Sequence, residues 1–453
     1  MIKRLLKARD GFYRDLFILV LPIVIQNLIA SAVSMADVVM LGRVDQTSLA
    51  ASSLAGQVMF LLNIVFFGLN SAMTILAAQY WGKKDNRTIG KILGIGLVIS
   101  LVITGFTATM SWICPKAVIS IWTNVPELQE AGAHYLRWVA LSYIFAGIAQ
   151  PYISIMKSCE RVSFSTAFSA GTLGINLVLN ALLIFGLGPF PRLGIIGAAL
   201  ATTISWGIGI VVCLIDFLRQ RMIPRDLKNM FLIPRILVND FIHYSLPAFI
   251  NDAMWGLAFN MNSVIMGHLG SDIVAANSVV TVARDLVSVV GFGISGAASI
   301  LLGKEIGENR METAGQDASA ILKTALVSGI LSGLVLLILS PIVPGMVKIS
   351  ETAARYLRAM LYINTVYQLG QVINTVLIAS LFRCGGDSRY GMILDIVCMW
   401  GFAVPLGLIS AFVLKLPPLT VYFLMCTDEF VKMPFALHHY HSGNWIHNLT
   451  REL

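Results

Sequence analysis

Acidic side chains inside long apolar runs are the first chemical signal in this sequence, and three stand out: Asp37, Asp252 and Asp395. A carboxylate at the centre of a bilayer costs about 2.5–3.5 kcal/mol on insertion scales, so one placed there marks an ion path, a proton relay or a buried pair. Asp37 has companions. Asn176 and Asn180 stand four residues apart and so share one helix face. Thr202 follows the small-residue run GAALA. One carboxylate, amide oxygens and a hydroxyl form a hard-oxygen set suited to an alkali cation such as Na+. The same carboxylate can instead carry a proton. Two plainer readings stand beside these: the asparagines simply join helices, and the acids lie near helix ends.

Positioning such residues needs membrane helices. Of the 453 residues, 57% are apolar and 12% charged, with a mean hydropathy of +0.79. Soluble domains carry about 25% charged residues. A span needs about 20 mostly apolar residues. Twelve such stretches are predicted, at roughly 15–42, 48–80, 88–112, 128–156, 163–186, 194–218, 239–267, 272–303, 315–340, 351–382, 388–413 and 418–440. The first lacks a small-residue cleavage site and runs too long for a secretory leader, so it reads as a membrane helix. The six cysteines form no CxxC or metal spacing, and no disulfide framework or metal beyond Na+ is expected.

The formal charge of +8 does not point to nucleic acid, because its placement is topological. Lys3, Arg4, Lys7, Arg9, Arg14, Lys83, Lys84, Arg87, Lys91, Lys157, Arg161, the stretch Arg219 to Arg235, Lys304, Arg310, Arg383 and Arg389 all fall on one side. The other side holds little more than Arg43, Lys116, Arg192, Lys348 and Lys415. Positive loops stay inside, so both termini are expected in the cytoplasm.

The chain also nearly repeats itself. LPIVIQNLIASAVSMADVVMLGRVDQTSLAASS begins at Leu21, and LPAFINDAMWGLAFNMNSVIMGHLGSDIVAANS begins at Leu246. Two copies of six spans share one orientation, which makes a parallel repeat about an axis along the membrane normal. The expected fold is therefore an all-α membrane protein of twelve transmembrane helices in two pseudo-symmetric six-helix lobes. Residues 1–218 would form the first lobe, 219–238 a cytoplasmic linker, and 239–453 the second lobe with a cytoplasmic tail. Duplicated apolar chains of this kind suit transport, because matching bundles can rock about a shared site. Pro22 and Pro247 occupy equivalent positions inside spans 1 and 7. Proline removes a helix hydrogen bond, so each is a candidate hinge or a static kink.

Topology sets depth. Asp37 lies late in an outward-running span, Asn176 and Asn180 past the middle of another, and Thr202 early in an inward-running one. All fall in the outer half of the first bundle. The second half does not copy this set, because Asn262 stands where Asp37 stood. Asn251, Asp252, Trp255, Asn262, Gln371, Asn374 and Asp395 are its candidate substrate-cavity or polar residues. Few Lys or Arg are evident inside the spans. His438, His439 and His441 read as exposed, and Asp387 as the cap of span 11.

The motifs LPIVIQNL…MADVVMLGRV…LAASS, GLNSAMTILAAQYWGKKD, NLVLNALLIFGLG…GIIGAALAT, LPAFINDAMW and LFRCGGD resemble the multidrug and toxic compound extrusion (MATE) family over nearly the whole chain. The resemblance implies export of organic cations or other amphipathic compounds, driven by Na+ or H+ entry, with no cofactor and no enzymatic activity. It implies an ion site at Asp37, Asn176, Asn180 and Thr202, and a bend at Pro22. Some branches add a glutamate in span 7 and an acid in span 10. Here Trp255 stands at the first, and Gln371 and Asn374 offer no acid at the second, which leaves Asp252 as a candidate substitute. The expected setting is a bacterial plasma (inner) membrane, and the expected partners are the bilayer and small amphipathic or cationic compounds, with the chain a monomer. A lipid-linked oligosaccharide flippase of the same superfamily is the alternative, and would need a more basic cavity. An integral-membrane lipid enzyme would need clustered His and acids at one interface.

Overall fold

The structure is a computed structural model. It describes residues 9–452 other than Asp45, Arg225 and Lys348. Lys3, Arg4 and Lys7, counted with the inside charges, and Lys348, counted with the opposite set, lie outside the described residues.

The chain is an all-α membrane protein, and no strand occurs among the described residues. The first repeat holds α1 (Phe12–Gly42), α2 (Gln46–Gly82), α3 (Asn86–Ile113), α4 (Pro126–Ser158), α5 (Val162–Phe185) and α6 (Ile195–Arg219). The second holds α7 (Arg235–Gly267), α8 (Ser271–Gly307), α9 (Met311–Leu339), α10 (Glu351–Phe382) and α11 (Ser388–Val413). Its last member, α12, comes in two pieces, Pro418–Met425 and Asp428–Ser442. Sequence-visible signals set several ends. Asp85 caps α3, Ser350 caps α10 and Asp387 caps α11, each accepting a backbone N–H three residues on. Proline opens α4 and α12, where its missing N–H has no helical partner to lose.

Ten of these helices are long and apolar enough to cross a membrane. The other two fall short for different reasons. In α7 the polar residues Asn251, Asp252, Asn260 and Asn262 lower the hydropathy. In α12 the helix breaks at Cys426 and Thr427, where one continuous span was expected.

The described residues form two compact units: Ile25–Ile242, and His243–Glu452 with the stretch up to Val24. In the first, α4 packs against α2, α3 and α6. In the second, α10 packs against α8 and α9, the repeat equivalents of α2 and α3. Both α4 and α10 have 72% of their apolar stretch buried, more than any other of the ten spans, so each is the central post of its unit. The post requires small neighbours. A Cβ on Gly333 of α9 would collide with the Thr365 carbonyl of α10. Small residues permit such close approach in membrane helix pairs. Gly333→Val is therefore expected to lower stability by about 1–3 kcal/mol, the usual range for overpacking. A thermal-melting series in lipid nanodiscs checks this, and an unchanged midpoint would contradict it.

Candidate functional site

The carboxylate of Asp37 is half-buried on α1, in the second half of the helix. The Asn180 amide of α5 donates to its Oδ1 at 2.7 Å. The same Asn180 amide donates to Asn176 Oδ1 at 3.1 Å, which the i, i+4 spacing allows. Asn176 donates in turn to Thr202 Oγ1 of α6 at 3.3 Å, and Thr202 donates to the Ala198 carbonyl at 3.0 Å. The four residues picked from the sequence thus form one hydrogen-bonded chain across α1, α5 and α6. No Lys, Arg or His pairs with Asp37 among the described residues. Asn180 Oδ1 is buried without a hydrogen-bond partner. An orphaned carbonyl oxygen beside a carboxylate fits a hard cation, and the carboxylate alone fits a proton. Nothing here fits a softer metal: no group of three or more His, Cys, Asp or Glu could hold one among the described residues. Tyr135 of α4 lies beside Asp37 and Thr202 and packs under Leu41 and Ile184. No spacing in the sequence pointed to it.

The second repeat differs from expectation. Asp252 is not a free acid. Arg383 grips it bidentately, at 2.6 and 3.2 Å, so the candidate substitute for a second ion site is neutralised. Asp395 is also paired, with Lys432 Nζ at 3.0 Å. Lys432, almost fully buried, further contacts Glu429 at 3.2 Å and Asp428 at 3.9 Å. Asn374 donates to the Glu429 carboxylate and to its backbone carbonyl, both at 2.7 Å. Gln371 accepts from Ser288 at 3.4 Å. Asn251 is buried with its Oδ1 unpartnered. Trp255 is 37% exposed and leans on Phe259 with ring centres 4.3 Å apart. Lys432, Arg383 and Arg284 are all buried, against the expectation of few interior basic residues. His439 also departs from its exposed reading: it contacts Asp387 at 2.7 Å and stacks on Tyr390.

A family model described as MatE matches residues 22–182 and again 247–409, one match per repeat. The chain belongs to the MatE family. The NorM multidrug resistance protein of Burkholderia vietnamiensis is 26% identical over 400 residues, covering 86% of this chain and 85% of that one. YisQ of Bacillus subtilis, described as an uncharacterized transporter, is 21% identical over 437 residues and 95% of each chain. The MATE transporter VcmN of Vibrio cholerae, solved in its bent form, shares the fold with a TM-score of 0.85 at 16% identity, over 97% of this chain and 99% of that one. MatE proteins have twelve membrane helices and are transporters, so this chain is a multi-pass membrane transporter and not an enzyme.

Proposed function

We propose that this MatE transporter is a secondary active exporter of small amphipathic compounds, coupled to entry of Na+ or H+ at Asp37. The observation that carries the reading is an acid on a membrane helix held only by an amide, with no basic partner among the described residues. A bare carboxylate in that setting is costly. A travelling cation or proton relieves the cost each time it binds. Coupling follows if the ion and the cargo favour different conformations, because a ligand shifts an equilibrium only by its difference in affinity for the two states. The two-unit division supports alternating access. It passes through α1 just after Pro22 and through α7 just before Pro247, so both prolines lie where the chain moves from one unit to the other. The flippase alternative has less support, because two of the three buried basic side chains named above, Arg383 and Lys432, are neutralised by carboxylates and leave only Arg284 for a basic cavity.

Efflux of an ethidium-like dye, with the Na+ and H+ gradients collapsed separately, tests the coupling. Loss of efflux with one of them is expected. Efflux that survives loss of both would remove the reading.

The proposed membrane is the bacterial inner membrane, with both termini cytoplasmic. This orientation puts the α3–α4 connection outside. Cys114 there is exposed, whereas the other five cysteines are buried. Burial pushes the Cys159 thiol up to about 12, with Glu160 adding to the shift. Thiolates, not thiols, react with maleimides. A membrane-impermeant maleimide on intact cells is therefore expected to label the protein, and Cys114→Ser to abolish the label. Labelling that needs permeabilised cells would reverse the topology.

A further inference from the structure

Arg284 lies near the middle of α8 and is 7% exposed. It lines a recess with Phe259, Asn262, Met399, Met425 and Asp428. The recess is half open, with a cavity volume of about 40 Å³. All of these residues belong to one compact unit.

The other basic groups that reach this unit's interior are matched by acids: Arg383 by Asp252 at 2.6 Å, Lys432 by Asp395 at 3.0 Å, and Arg9 by Asp317 at 3.0 Å. Arg284 is not. Its Nε is buried with no hydrogen-bond partner. Its one acid partner among the described residues is the neighbouring Asp285, a long contact at 3.8 Å from a side chain that is two-thirds exposed. The other face of the guanidinium rests on the Phe259 ring, 4.7 Å from its centre. Asn262 in the same recess has a buried Oδ1 without a partner. A guanidinium presents five donors in a fork that matches two acid oxygens. One largely exposed acid at 3.8 Å leaves most of that fork available, and a buried charge so weakly paired is costly unless something else meets it.

We propose that the Arg284 recess receives the acid group of an apolar molecule: a carboxylate, sulfonate or phosphate on the guanidinium fork, and the apolar body against Phe259, Met399 and Met425. The aromatic and methionine walls adapt to varied shapes, while the fork selects charge. This rests on the export reading above and refines its cargo from organic cations towards acidic or zwitterionic amphiphiles. An acid group of this kind reaches the recess either on a soluble compound or on an anionic lipid headgroup.

Three probes that share one fluorophore separate the outcomes: dansylglycine (a carboxylate), dansylamide (neutral) and dansylcadaverine (a cation). Equilibrium dialysis against the purified full chain in phosphatidylcholine nanodiscs gives their affinities. Dansylglycine is expected to bind at least tenfold more tightly than dansylamide. Arg284→Gln is expected to erase that preference and to leave dansylamide within about twofold. Arg284→Lys, which keeps the charge but loses the fork, should retain part of it. Unchanged elution and melting of the variants excludes misfolding. Adding phosphatidylglycerol to the nanodiscs identifies the source: displacement of dansylglycine assigns the recess to lipid headgroups, and no displacement assigns it to soluble cargo. Equal binding of all three probes, or a preference that survives Arg284→Gln, overturns the proposal. The dialysis is run without any ion gradient, and only gradient-driven efflux reports coupling, so failure of the coupling reading is seen separately from failure of this one.

Discussion

Replacing Asp37 with Asn is expected to reduce gradient-driven dye efflux to the level of membranes that lack the protein. The change keeps the side chain's size and an oxygen for the Asn180 amide, which now sits 2.7 Å from Oδ1. The chain should therefore fold and insert in normal amounts. What it loses is the charge. A neutral side chain gives a cation or proton no reason to prefer one conformation, and a ligand without differential affinity shifts nothing. Asn180→Ala should cost less, because the carboxylate survives while one donor is lost. Efflux from cells expressing each variant at matched abundance checks the order. Parent-level efflux from Asp37→Asn would break the account.

The second large effect concerns folding rather than transport. Lys432→Met is expected to prevent accumulation of folded protein. The ammonium holds Asp395 at 3.0 Å and Glu429 at 3.2 Å, with Asp428 at 3.9 Å, in a nearly dry setting. Removing one partner of a buried ion pair typically costs about 3–5 kcal/mol, because the charge left behind is uncompensated. Here three acids are left. The rescue is specific: Lys432→Met combined with Asp395→Asn and Glu429→Gln removes most of that stranded charge and should recover much of the yield. Elution profiles and melting curves in detergent decide it. A single variant that melts like the parent would show that the acids are protonated or solvated without the lysine.

Some of these features are legible in the sequence and others are not, for physical reasons. Spans α1 to α6 and α8 to α11 were legible because hydropathy reports the bilayer directly, residue by residue. The set around Asp37 was legible because Asn176 and Asn180 lie one helical turn apart and their depth follows from topology. Asp252 and Asp395 stand out in the sequence as acids inside apolar runs. Their partners could not be read, because Arg383 lies 131 residues from Asp252 and Lys432 lies 37 from Asp395. Pairing at such distances is a property of the fold. Lys432 is illegible in the sequence for a further reason. It sits in DEFVK, whose i, i+3 and i, i+4 charges resemble a solvated helix end, and only the packing of α12 against α10 shows that this face is interior. Arg284 is hidden in the same way beside Asp285, because adjacent opposite charges do not show that the first is buried and the second exposed.

Counting ions against cargo tests the central claim most directly. Proteoliposomes are loaded with dye, and inward movement of Na+ (as a radiotracer) or H+ (by an internal pH indicator) is recorded while dye leaves. The account expects one of these ions to enter in step with the dye, and Asp37→Asn to stop that entry. Dye leaving with no accompanying ion, or ion entry undiminished in Asp37→Asn, would contradict it.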